Sequence, residues 1–229
     1  MSFNFYEVVS KDKKTININP NYAKHGIKIP FMMCISGPTG SGKSNAVLNL
    51  LLQFNRSFHE IIYCIKSADE PLLKHLEEKV GAIICEGADS VPPLSNFSIQ
   101  DPVTGRLKRT DNLQRLIIFD DLILEKNANK TISEYFIKAR KLNISCIKIT
   151  QSYYQIPKLI RDNCKYFILT RNLLKKDLKM IFNIFPSKLT ADEFYNLYME
   201  LTKDKLNFIL LDIETRVIKK NIIEEKYEL

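Results

Sequence analysis

The eight residues GPTGSGKS, Gly37 to Ser44, hold three of the chain's seven glycines. They match G-x-x-x-x-G-K-[ST] in full, follow the strand-like run FMMCIS and open the helical pattern KSNAVLNLLLQF, the context that gives this motif its meaning. A loop of this kind wraps backbone N–H groups around phosphate oxygens, and side chains at its glycine positions would obstruct the wrap. Gly37, Pro38, Thr39, Gly40, Ser41, Gly42, Lys43, Ser44 and the adjoining Asn45 are therefore the expected nucleotide-binding residues. Lys43 is expected to reach the β- and γ-phosphates of ATP, and the Ser44 hydroxyl to ligate Mg²⁺.

Such a loop needs a carboxylate on a nearby strand to hold the metal. RLIIFDDL supplies one: four consecutive apolar residues, Leu116 to Phe119, run into Asp120 and Asp121. A strand buried on both faces and ending in acid suits a Walker B strand. Asp120 is the expected second Mg²⁺ ligand, and Asp121 the expected base toward the attacking water, which favours hydrolysis over transfer to an acceptor.

These residues must be positioned by a sheet. Strand-like runs recur at 31–36, 60–66, 81–85, 115–121, 144–150, 165–170 and 207–214. Amphipathic helical patterns lie between several of them, at 43–54 and 130–143 for example, and Thr190 with Glu193 makes a capping box. Continuous apolar strands alternating with such helices imply an α/β fold, a mostly parallel sheet with helices on both faces. The whole of 1–229 reads as one domain with a core of about 25–215; residues 86–112, polar and carrying Pro92, Pro93 and Pro102, read as a surface insertion, and 215–229 as a strand followed by a polar tail.

Composition narrows the class without deciding it. Hydrophobic residues make up 45% of the chain, and no apolar run approaches the roughly 18 residues needed to span a bilayer, so no membrane association is expected. The start has no basic head before an apolar stretch, unlike a signal peptide. Cysteines at 34, 64, 85, 146 and 164 form no C-x-x-C pair and mostly sit in strand-like runs, as reduced core thiols do in an intracellular protein. A formal charge of +8 permits contact with polyanions but does not by itself require it.

Taken in order, the phosphate loop, the strand ending in two acids, the helix ending KARKLNIS and the strand ending in TQ resemble the FtsK/HerA superfamily of DNA-translocating P-loop ATPases, whose sheet carries an additional strand between the Walker strands. Within it, IPFMMCISGPTGSGKS, IIFDD and ARKLNISCIKITQSYYQIPKLIRDNCKYFILTR resemble the genome-packaging ATPases of large double-stranded DNA viruses and virophages, over about residues 25 to 215. The resemblance implies an ATPase motor that packages double-stranded DNA. It makes Gln151 a polar sensor at the end of the inserted strand, and Arg140 an arginine finger acting in the neighbouring subunit of a homo-oligomeric ring, a pentamer or hexamer. Capsid proteins are implied as further partners, and the host cytoplasm or viral factory, with virion association as a variant, as the location. Cellular members usually carry Glu where this chain has Asp121; the Asp-Asp pair is common in the viral branch.

Rival readings stand beside these. Arg140 lies between Lys138 and Lys141 on what can be a solvated face, and Arg161 competes for the finger role. Arg106, Lys108 and Arg109 could meet DNA from the insertion or simply be a charged loop. Tyr153 and Tyr154 receive no role. A small-molecule P-loop transferase or kinase, and a nucleotide-switched assembly protein that is not a motor, are the alternative functions.

Overall fold

The computed structural model describes residues 18–67, 71–105, 107–122, 126–185 and 188–228. After a short helix α1 (Tyr22–His25), the chain runs β1 (Met32–Ser36), α2 (Lys43–Gln53), β2 (Glu60–Ile65), α3 (Pro71–His75) and β3 (Ile83–Glu86). A hairpin of β4 (Ser98–Gln100) and β5 (Leu107–Arg109) precedes β6 (Arg115–Asp120), α4 (Lys126–Lys138), β7 (Ile144–Thr150), α5 (Lys158–Asn163) and β8 (Tyr166–Thr170). The chain finishes with α6 (Lys175–Ile184), α7 (Ala191–Leu201), β9 (Phe208–Asp212), β10 (Val217–Lys220) and β11 (Glu224–Glu228).

Nine strands form one sheet in the order β11-β10-β9-β8-β1-β7-β6-β2-β3. Strands β8 through β3 in that order are parallel, while β9, β10 and β11 join antiparallel at one edge. The sheet is thus mostly parallel, and β7 sits between the strand that feeds the glycine loop and the strand that ends in Asp120. Parallel strands read as continuous apolar runs because helices cover both faces. Each of β1, β7 and β8 is buried at every residue.

Successive side chains point to opposite faces, so each strand feeds two cores. On one face Met32, Cys34, Ile117, Phe119 and Cys146 pack under Tyr135 and Phe136 of α4, Leu178 and Ile181 of α6, and Phe194 and Tyr198 of α7. On the other, Met33, Ile35, Ile118, Ile147 and Ile168 pack under Ala46, Val47, Leu50 and Leu51 of α2. The cysteines are free thiols; Cys34, Cys64, Cys146 and Cys164 are buried, Cys85 is half-buried, and the Cys34 and Cys164 sulfurs lie 3.3 Å apart. Burial holds the Cys146 and Cys164 thiols well above their ordinary pKa.

Two boundaries differ from the sequence expectation. Residues 86–112 are less superficial than their polarity implies: Val91, Leu94 and Phe97 are buried in the main core, and the Tyr135 hydroxyl donates to the Pro92 carbonyl at 2.7 Å. Leu94 and Phe97, three residues apart, lie on one side of a 3₁₀ turn, Leu94–Phe97, a period that a search for strands or long helices passes over. The expected polar tail forms β11 instead, since its backbone pairs with β10 whatever its side chains are. The capping box appears as expected, with Thr190 Oγ1 accepting from the Glu193 N–H and the Glu193 carboxylate accepting from the Thr190 N–H.

The entry to β1 is held by His25. Its ring is buried against Phe54, Nδ1 accepts from the Ile27 N–H at 2.9 Å, and Nε2 lies 3.2 Å from Asn19 Oδ1. Burial, and then the nearby Lys219 ammonium, lower its pKa from 6.5 to about 4. A neutral folded imidazole and an unfolded one near 6.5 mean that stability is held above about pH 6.5 and lost as pH falls toward 4. His25→Gln should show a flatter melting temperature between pH 7 and 4.5 than the parent, measured by thermal denaturation; equal slopes would remove His25 as a source of acid sensitivity.

Candidate functional site

The site is built by register. Ser36 on β1 pairs with Thr150 on β7, and Asp120 on β6 pairs with Ile149, so three strands end within one residue of each other. Ligands of open α/β sheets bind outside such carboxyl ends. Here a cleft of about 550 Å³ opens, lined by Thr39, Gly40, Gly42, Lys43, Ser44, Ile65, Lys66, Ser67, Asp120, Asp121, Thr150, Gln151 and Lys205.

Backbone geometry explains the glycines. Gly40 and Gly42 take φ of +73° and +97°, the left-handed region that disfavours side chains. Gly37 has a different reason: a Cβ there would stand 1.7 Å from Thr170 Oγ1 and 2.6 Å from Ser41 Oγ. That space is filled because Ser41 and Thr170 share a hydroxyl–hydroxyl hydrogen bond of 2.6 Å, fastening the loop to β8. Lys43 opens α2, and its Nζ donates to the Gly37 and Pro38 carbonyls at 2.8 and 3.1 Å. Gly37, Pro38, Ser41 and Asn45 belong to the loop and its first helical turn but are not among the residues lining the cleft.

The two acids differ in setting. Asp120 accepts from the Tyr63 hydroxyl at 2.7 Å, and burial raises its carboxyl pKa against the opposing pull of that bond and of Lys148 and Lys43. Asp121 is exposed and takes φ of +49°, a conformation that costs a non-glycine residue energy and turns the chain out of the strand. Gln151 donates from Nε2 to Asp121 Oδ2 at 3.2 Å. The expected base and the expected sensor are thus in contact.

Other expected residues lie elsewhere. Arg140 is exposed in a 3₁₀ turn, Ala139–Leu142, at the amino end of β7, opposite the cleft. Arg161 is half-buried, with its guanidinium 5.3 Å from the Tyr153 ring centre and Nη1 3.9 Å from the Met180 sulfur, the environment of a packing residue. Lys108 pairs with Asp101 within the β4–β5 hairpin, Arg109 is half-buried, and Arg106 lies outside the described residues.

Sequence reasoning passed over Lys148 and Tyr63. Lys148 is fully buried on β7, and its Nζ has no hydrogen-bond partner among the described residues. Burial pulls its pKa down to about 8, against the charge of Asp120. A lysine in a strand covered on both faces is itself a signal, because an unpaired buried ammonium is otherwise eliminated.

Residues 95–220, more than half of the chain, match the family described as Poxvirus A32 protein. That span contains Asp120, Asp121, Arg140 and Gln151, and begins after the glycine loop. A search of curated proteins gave no match. Among solved structures, B204, the DNA-packaging ATPase from Sulfolobus Turreted Icosahedral Virus, is similar at TM-score 0.56 and 15% identity, covering 85% of this chain and 98% of that one. The genome packaging NTPase B204 from Sulfolobus turreted icosahedral virus 2 is similar at TM-score 0.59 and 13% identity in its sulfate complex, covering 85% and 96%. Its AMPPCP complex gives TM-score 0.55 and 14% identity, covering 83% and 96%. At such identities the likeness is one of fold, and the fold is that of a P-loop NTPase with the inserted strand, as the sequence resemblance implied. The family match goes further: the chain belongs to the Poxvirus A32 protein family.

Proposed function

We propose that this chain is an ATP-hydrolysing motor that drives double-stranded DNA into a viral capsid. The observation that carries the reading is the meeting of Lys43 and Ser44, from the first turn of α2, with Asp120, Asp121 and Gln151, from the ends of β6 and β7, in one cleft. B204 proteins of the same fold are described as genome packaging NTPases in complex with AMPPCP and with ATP-gammaS, which supports ATP as the nucleotide and packaging as its use.

The residues present fit a magnesium nucleotide. The loop's left-handed glycines suit backbone approach to phosphate, and the Ser44 hydroxyl with the Asp120 carboxylate is an oxygen donor set of the kind Mg²⁺ takes alongside phosphates and water. When bound, Mg²⁺ neutralises charge on the phosphates being cleaved. Lys43 exchanges its carbonyl partners for phosphate oxygens. Asp121 orients a water and accepts its proton, and Gln151, already bonded to that carboxylate, registers the change. This acid–amide contact favours hydrolysis over transfer to an acceptor.

Arg140 acts in trans. Seven residues of β7 separate it from Gln151, roughly 20 Å, well beyond the reach of an arginine side chain. It therefore serves the cleft of the next subunit in a homo-oligomeric ring of five or six, where its planar guanidinium stabilises the charge of the transferring phosphoryl group. Capsid proteins would anchor that ring at the portal for DNA.

Lys43→Ala should lower ATP turnover at least about 100-fold with folding intact, and Asp121→Asn about 10²- to 10⁴-fold; steady-state assays with added duplex DNA measure both, and unchanged turnover in either defeats the active-site reading. Arg140→Ala and Lys43→Ala subunits, each inactive alone, should recover activity when mixed, because one supplies the finger and the other the intact loop. No recovery, with mixed rings verified by light scattering, would exclude action in trans.

A further inference from the structure

Beyond the cleft, the same end of the sheet carries a basic face that does not line the nucleotide cleft. The β8 strand leaves Thr170 through Arg171 and enters α6, whose first turns expose Lys175, Lys176 and Lys179. Among the described residues none of the three lysines forms an ion pair. Two instead rest on aromatic rings: Lys176 Nζ is 4.9 Å from the Tyr154 ring centre and Lys175 Nζ 5.2 Å from that of Tyr195. Asp192 is the acidic residue beside Lys175 and Lys179 in the shallow groove between α6 and α7.

The helix dipole does not favour this arrangement. Cations at a helix amino terminus oppose its dipole, and α6 has no side-chain cap, its N-cap being Leu174. The acid that could serve the helix, Asp177, is fully buried and turned to another element. Its carboxylate accepts from Ser152 Oγ at 2.9 and 3.1 Å and from the Tyr154 N–H at 2.9 Å. Ser152 directly follows Gln151. The segment leaving the cleft is therefore strapped to the helix that bears the lysines, and the Tyr198 hydroxyl adds a second tie by donating to the Thr170 carbonyl and accepting from the Leu173 N–H.

We propose that the Lys175–Lys176–Lys179 face of α6, with Tyr154 beside it, holds the phosphate backbone of duplex DNA, and that the Ser152–Asp177 strap couples this contact to Gln151. The inference rests on the motor reading above and assigns its DNA surface to the cleft end of the sheet. The β4–β5 hairpin is at the other end: the Arg115 guanidinium, where β6 begins, lies 4.9 Å over the Phe97 ring beside it. Positive charge at the cleft end is in reach of a state change at Gln151; charge on the hairpin is not. Tyr154, 61% exposed, has the role of a support that keeps an ammonium extended toward solvent.

The test is a salt titration of binding to a short random-sequence duplex by the full chain. Each lost phosphate contact lowers the slope of log K against log salt by about 0.9, so Lys175→Gln/Lys176→Gln/Lys179→Gln should reduce it by about 2 to 3 and weaken binding about tenfold or more. Its melting temperature should stay near the parent's, because two charges that oppose the helix dipole and the two lysine–ring contacts are lost together. Lys108→Gln/Arg109→Gln should leave the slope as in the parent. Ser152→Ala should keep the parent slope yet lose most of the DNA stimulation of ATP turnover. An unchanged slope in the triple variant, or its loss in the hairpin variant, overturns the assignment; full stimulation in Ser152→Ala overturns the coupling. A parent chain that hydrolyses ATP yet neither binds duplex nor responds to it defeats the motor reading itself, and with it this one.

Discussion

Parallel pairing of β1 with β7 and of β7 with β6 is the constraint on which everything at the cleft depends. Parallel strands share a direction, so their carboxyl ends gather at one edge, and a fixed register decides which residues emerge there together. A one-residue slip of β7 would turn its side chains to the opposite face and take Gln151 from beside Asp121. Such a slip is resisted by burial, because every residue of β7 is covered and each face has its own packed layer.

The same burial governs the electrostatics. Asp120 leaves the sheet where water is scarce, and its carboxylate is accompanied by Tyr63 as donor and by Lys148 and Lys43 as charges. Lys148 stays in the core without a hydrogen bond of its own among the described residues, an expense the fold does not need for packing. Charge beneath the acids balances charge within them, and the exposed Asp121 can turn away only by adopting a left-handed backbone. Fold and site are therefore not separable layers: the strands that make the core also set the field in the cleft.

Much of this was legible in the residues because burial leaves a pattern. Strands covered on both faces read as unbroken apolar runs, and all seven such runs became sheet strands. The glycine loop was legible because its conformations exclude other side chains. What stayed hidden had no one-dimensional signature. Helix α6 begins with lysines and lacks a capping side chain, so its buried Leu178 and Ile181 give too short a stripe to stand out. Strand β11 exists through backbone pairing with β10, and EEKYE carries no alternation to announce it. The Gln151–Asp121 bond and the Ser152–Asp177 strap join residues 30 and 25 positions apart, distances that only the folded chain closes.

The buried thiols give the fold an intrinsic reporter. Cys34 and Cys146 lie on β1 and β7, the two strands whose ends form the cleft, while the half-buried Cys85 lies on the edge strand β3. A thiol sealed in the core reacts with an alkylating reagent only when its neighbourhood opens, so its labelling rate counts openings. Central and edge sulfurs thus time two different motions of one sheet, and nucleotide that tightens the cleft would slow the central clock while leaving the peripheral one to run.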